Sequence, residues 1–120
     1  MSYILVCDDE KIISMALSRV LIRAGHEVKV ANHGTEAIRA MNEGPAPAMV
    51  FLDLLMPEIG GGEVLDFIHR KAPETKVMMM TAYGDSTVRD GLMARGATKV
   101  LHKPFDDITK IPDLVREFLG

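Results

Sequence analysis

Asp8, Asp9, Asp53, Thr81 and Lys103 each sit at the end of a short apolar run. Ile4-Leu5-Val6-Cys7 stops at Asp8-Asp9, Met49-Val50-Phe51-Leu52 at Asp53, Val77-Met78-Met79-Met80 at Thr81, and Val100-Leu101 just before His102-Lys103. Two adjacent acids at one run and a third at another form a hard oxygen site that suits Mg²⁺. Crowded carboxylates repel, so a cation must sit among them. Lys103 offers positive charge to the oxygens of a phosphoryl group, and the Thr81 hydroxyl offers a hydrogen bond to the same group. Asp53 then stands as a nucleophile toward phosphorus, because carboxylates form acyl-phosphate intermediates.

Such residues need elements that bring the ends of the runs together. Parallel strands covered on both faces read as near-continuous apolar runs, and open α/β sheets bind ligands beyond the carboxyl ends of their strands. Between the runs the apolar spacing is helical. Ile13, Leu17, Val20, Leu21 and Ala24 mark a first helix, closed by Gly25. Glu27 to Ala31 alternates around Val28 and Val30 as a half-buried strand, and Thr35 is expected to cap a second helix carrying Ala37, Ile38 and Met41. Gly44, Pro45 and Pro47 end it. A loop holding Pro57 and Gly60-Gly61-Gly62 leads into a third helix with Val64, Leu65 and Ile68, stopped by Pro73. Ser86 is expected to cap a fourth helix, which carries Val88 and Leu92 and ends at Gly96, and Leu114, Val115 and Phe118 lie on a fifth. Five strands alternating with five helices imply parallel strands joined by right-handed crossovers, an α/β doubly wound sheet with helices on both faces.

The chain has 120 residues, a formal net charge of −3 with acids and bases interspersed, and one cysteine. This length fits one domain over residues 1–120 with one hydrophobic core. The charge gives no footprint for nucleic acid or anionic lipid, so neither is expected as a direct partner. One cysteine makes no internal disulfide, and no signal peptide or membrane-length apolar run stands out, which points to a reducing cytoplasmic setting. Cys7 reads as a buried small hydrophobe, and Met78-Met79-Met80 as strand core rather than a soft-metal site. Gly60-Gly61-Gly62 lacks the Lys-Ser/Thr that follows a phosphate-binding P-loop and reads as a flexible loop. His26, His33, His69 and His102 show no metal-ligand spacing, and strand alternation should turn His102 away from Lys103 to the surface.

The segments Val6-Cys7-Asp8-Asp9-Glu10, Asp53-Leu54-Leu55-Met56-Pro57, Gly61, Thr81-Ala82, Gly96-Ala97 and Lys103-Pro104-Phe105, in this order and spacing, resemble the receiver domains of bacterial two-component response regulators. The resemblance covers essentially the whole chain, whose length is that of a stand-alone regulator similar to the chemotaxis one. It implies a flavodoxin-like fold with strand order 2-1-3-4-5. It also implies that Asp53 is the phosphoacceptor, that Asp9, Asp53 and the backbone carbonyl of Leu55 ligate Mg²⁺ directly, and that Asp8 acts through bound water. Lys103 would contact the phosphoryl group, and Pro104 would follow a cis peptide bond. Thr81 would shift toward the phosphoryl oxygens and report to the face made by the fourth helix, fifth strand and fifth helix. Glu10, often acidic in the family, is not expected to ligate the metal. The implied partners are a histidine kinase or histidine phosphotransfer protein and a downstream protein target. The chain would be a monomer, or a dimer favoured by phosphorylation. One departure stands out: Val100 occupies a place where the family often has an aromatic that rotates with the threonine, and a valine has no such swing.

Three classes of function follow from acids gathered at a sheet edge. The first is a phosphorylation-operated switch, which catalyses only its own phosphorylation and dephosphorylation. The second is a metal-dependent phosphatase with an aspartyl nucleophile; such enzymes commonly carry another acid two residues beyond it, where this chain has Leu55. The third is a receiver-like binding module that takes no phosphoryl group, for which the joint presence of the acids, Thr81 and Lys103 would serve no purpose.

Overall fold

A computed structural model describes residues 2–120. Strands β1 (Ile4–Cys7), β2 (Val28–Ala31), β3 (Met49–Asp53), β4 (Lys76–Thr81) and β5 (Lys99–His102) alternate with helices α1 (Lys11–Arg23), α2 (Gly34–Glu43), α3 (Gly61–Lys71), α4 (Ser86–Ala94) and α5 (Ile111–Leu119). A single 3-10 turn, Ile108–Lys110, leads into α5. All strands pair in parallel, in the order β2-β1-β3-β4-β5. This is the expected flavodoxin-like sheet.

Strand alternation sorts the apolar runs into two cores. Leu5, Cys7, Val50, Leu52, Val77 and Met79 pack with Ala37 and Met41 of α2, Val64 and Leu65 of α3, and Leu92 of α4. Ile4, Val6, Met49, Phe51, Met78 and Met80 meet Leu17 and Leu21 of α1 and Ile111 and Val115 of α5 on the opposite face. The three consecutive methionines are fully buried, so their role is packing. β2 has a neighbour on one side only, and Val30, expected half-buried, is instead exposed there.

Several local expectations are corrected. Thr35 lies inside α2, whose N-cap residue His33 makes no side-chain capping bond; Glu36 instead accepts the Asn32 backbone N–H at 3.0 Å. Ser86 is the first residue of α4, and the cap is Asp85, whose carboxylate accepts the Val88 N–H at 2.8 Å. The inward stripe of α1 is Ser14, Leu17, Ser18 and Leu21, while Ile13 and Val20 are only half-buried. The two serines cost little there because each donates to a carbonyl of its own helix, Ser18 to Ser14 at 2.6 Å and Ser14 to Lys11 at 3.2 Å.

The glycine run is ordered and is no flexible loop. Gly60 is the N-cap of α3, Gly61 and Gly62 are its first two residues, and the Gly61 N–H donates to the Leu54 carbonyl at 2.8 Å. Gly62 leaves a space that the Arg95 guanidinium fills, and Arg95 forks onto Asp66 of α3 with bonds of 3.0 and 2.8 Å. The end of α4 is thereby fastened to the start of α3. Among the described residues no helix is long and apolar enough to cross a membrane.

Candidate functional site

Register decides which residues meet. Cys7 pairs with Leu52, Asp53 with Met80, and Thr81 with His102, so the residues that end or follow β1, β3, β4 and β5 stand side by side at the carboxyl edge. Backbone bonds continue past the strands, from Leu54 N–H to the Met80 carbonyl at 2.9 Å and from Lys103 N–H to the Thr81 carbonyl at 2.9 Å. Asp8 and Asp53 continue the parity of Val6 and Phe51, on the α1/α5 side of the sheet. Thr81 continues the parity of Val77 and Met79, on the side of α2, α3 and α4.

Asp8, Asp53 and Lys103 come together as expected, each buried. The Lys103 ammonium donates to Asp8 Oδ2 at 3.0 Å, to Asp53 Oδ1 at 3.3 Å and to Glu10 Oε1 at 2.8 Å. Oxygens of Asp8, Glu10 and Asp53 all lie within 4.8 Å of one another. Asp9 is half-buried beside them, and its carboxylate lies outside that group. Glu10, which was not expected to ligate the metal, joins the site through its bond to Lys103, a contact that the third acid directly after Asp8-Asp9 does not by itself announce. Thr81 is buried, and its hydroxyl oxygen accepts the Tyr83 N–H at 3.0 Å. A cleft of about 250 Å³ opens over these groups, lined by Glu10, Asp53, Leu55, Thr81, Ala82, Tyr83 and Lys103. Leu55 and Tyr83 flank it as exposed residues, the Lys103-Pro104 peptide is cis, and His102 is exposed as alternation requires.

The electrostatics are those of an acid-rich site with too little positive charge. Burial, followed by the repulsion of Asp8, pushes the Asp53 carboxyl up to about 7 in spite of Lys103 beside it. Burial alone would lower the Lys103 ammonium, but its bonds to Glu10 and Asp8 and the charge of Asp53 hold it above the ordinary lysine value. Cys7 is buried beneath the site, and burial followed by the charge of Asp8 pushes its thiol up to about 12, so it is no nucleophile. Asp8 and Asp53, which share the Lys103 ammonium, with Asp9 half-buried beside them, are oxygen donors that a further hard cation fits.

Comparison with known proteins agrees with this fold. The model of the response regulator receiver domain matches residues 4–116. The chain is 38% identical over 119 residues to the transcriptional regulatory protein CpxR homolog of Haemophilus influenzae, covering 97% of this chain and 51% of that protein. It is 38% identical over 103 residues to the transcriptional regulatory protein TcrA of Mycobacterium tuberculosis, covering 86% of this chain and 40% of that one. The chain thus spans about half or less of the length of these relatives. Among solved structures, the receiver domain of NtrX from Brucella abortus superposes with a TM-score of 0.84 at 34% identity, over 95% of this chain and 94% of that one. The chemotaxis response regulator CheY4 of Vibrio cholerae superposes with a TM-score of 0.89 at 26% identity, over 99% of both chains. With this family model matching almost the whole chain and the sheet order that of the superposed receiver domains, the chain belongs to the response regulator receiver domain family.

Proposed function

We propose that the protein is a phosphorylation-operated signalling switch whose acceptor is Asp53. The observation that carries this reading is the position of the Asp53 carboxylate in the cleft between Leu55 and Tyr83, with the Lys103 ammonium 3.3 Å from its Oδ1. An Asp53 oxygen attacks phosphorus while the bond from phosphorus to the donor nitrogen of a phosphohistidine breaks, so the donor is a histidine kinase or histidine phosphotransfer protein. Lys103 draws charge from the phosphoryl oxygens. Asp8, Asp9, Asp53 and the Leu55 carbonyl are the groups that would hold Mg²⁺, which when bound supplies positive charge to the crowded acids and to the phosphoryl oxygens.

Output begins at Thr81. Its hydroxyl is engaged with the Tyr83 N–H, and its methyl group lies 2.9 Å from where a side chain on Gly84 would start. A turn of Thr81 toward a phosphoryl group therefore disturbs the segment that leads into α4. A downstream protein reading α4, β5 and α5 would sense this, as a partner of a monomer or of a dimer that phosphorylation favours. The protein acts on no substrate but its own aspartate.

Incubation with Mg²⁺ and acetyl phosphate, followed by intact-mass measurement, tests the reading. The wild type gains one acid-labile phosphoryl group and Asp53→Asn gains none while keeping its fold. Equal labelling of the two chains would refute Asp53 as acceptor. Repeated turnover of the donor would mark a phosphatase, and neither labelling nor turnover would mark a binding module.

A further inference from the structure

Lys103 has no hydrogen to spare. An ammonium carries three N–H donors, and three carboxylates receive them, from Glu10 at 2.8 Å, Asp8 at 3.0 Å and Asp53 at 3.3 Å. If Asp53 is the acceptor, the phosphoryl group can take a bond from Lys103 only when one of these gives way. The three are not equivalent. The Asp8 side chain is 0% exposed and its other oxygen already holds the Glu10 backbone N–H at 2.9 Å, so losing Lys103 would strand a buried charge. Asp53 is itself the reacting group. The Glu10 side chain is 60% exposed, makes no capping bond to α1, and regains water once it lets go.

We propose that Glu10 is a positioning residue: it holds the Lys103 ammonium in the unphosphorylated protein and yields that donor to the phosphoryl group as it arrives. One anion replaces another on the same N–H. Glu10 thus works against phosphoryl transfer twice, by occupying the donor and by placing negative charge at the mouth of the cleft that a dianionic donor must enter. The inference rests on Asp53 as acceptor.

Glu10→Ala and Glu10→Gln test it, the second keeping size and an acceptor oxygen without the charge. In metal-free protein, the side-chain ammonium signal of Lys103 in nitrogen-15 NMR should persist in the wild type and broaden through water exchange in Glu10→Ala. With Mg²⁺ and acetyl phosphate, the initial labelling rate should rise on the order of threefold in Glu10→Ala, the factor expected for release of one ion pair that is exposed on its acidic side, and by less in Glu10→Gln. Unchanged or slower labelling in both variants, with the wild type labelled normally, overturns the inference and leaves Asp53 standing. Weaker Mg²⁺ binding with slower labelling overturns it too, by making Glu10 a metal ligand. An unlabelled wild type removes the acceptor reading, and the inference with it.

Discussion

Gly61 lies so close to Asp53 that a β-carbon built on it would stand far inside contact distance of the Asp53 carbonyl oxygen. No side chain fits there without moving the backbone of the residue proposed to take the phosphoryl group. The first turn of α3 is in effect pressed onto the end of β3, which keeps the Asp53 carboxylate at a fixed height over the cleft.

Gly61→Ala should therefore lower stability by about 1–3 kcal/mol, the usual cost of overpacking, although glycine to alanine inside a helix normally gains about 1 kcal/mol. Its labelling by acetyl phosphate should slow as well. Gly62→Ala is the control, because the nearest atoms there belong to the movable Arg95 guanidinium and not to backbone. Thermal melts and labelling rates of both variants check this, and equal behaviour of the two would show that the approach of Gly61 to Asp53 does not matter.

The raised Asp53 value makes a prediction about pH. Its carboxyl titrates near 7 in the folded chain against an ordinary value of 3.8, so folding favours the protonated form. The stability this group contributes is full below about pH 4 and is lost as pH rises through about 7. In metal-free buffer the wild type should lose on the order of a few kcal/mol across that window, and Asp53→Asn should flatten the slope. Millimolar Mg²⁺ should restore stability at neutral pH by binding the folded state alone, less so in Asp9→Asn. Denaturant melts at a series of pH values decide the matter; a wild-type curve parallel to that of Asp53→Asn would contradict the assignment.

Leu55 and Tyr83 stand exposed at the cleft that they line, and on the proposed reading they flank the approach of water to a phosphoryl group on Asp53. Slow loss of the phosphoryl group follows from two bulky side chains that position no water. Combining Leu55→Asn with Tyr83→Glu should shorten the lifetime of the phosphorylated form severalfold, measured by decay of the labelled mass after donor removal. No change in lifetime would mean that these side chains do not guard the path.

α4 carries Gly91, exposed and with nothing within 4 Å of an added β-carbon. Gly91→Ala should stabilise the protein by up to about 1 kcal/mol and narrow the difference in hydrogen exchange over residues 84 to 95 between the phosphorylated and unphosphorylated chain. Val100 is half-buried against the α2–α4 core and near Gly84, so Val100→Ala should mainly cost packing. If residues 84 to 95 exchange alike in both states, the signal leaves through another face.

The sheet and its site were legible because they rest on long-wavelength signals. Four apolar runs ending in Asp8, Asp53, Thr81 and Lys103 dictate parallel strands, and parallel strands place their ends together whatever the loops do. The caps were not legible to the residue. Thr35 and Ser86 have the right chemistry, yet the chain entered its helices one or two residues earlier, where His33 and Asp85 already had extended backbones. The bond of Glu10 was not legible for a different reason. It reaches Lys103, 93 residues away in sequence, through a long, exposed side chain, and no local pattern encodes that reach. The glycine run failed as a loop because composition alone cannot tell permissive backbone from crowded backbone.

The fork of Arg95 on Asp66 over Gly62 has a consequence for how this sequence can vary. A larger residue at position 62 evicts the guanidinium, and once evicted the arginine no longer serves Asp66, so a change at 62 makes positions 66 and 95 free to drift. Chains descended from this one that keep Gly62 should keep Asp66 and Arg95 together, whereas in chains that have lost Gly62 the two positions should vary independently of each other.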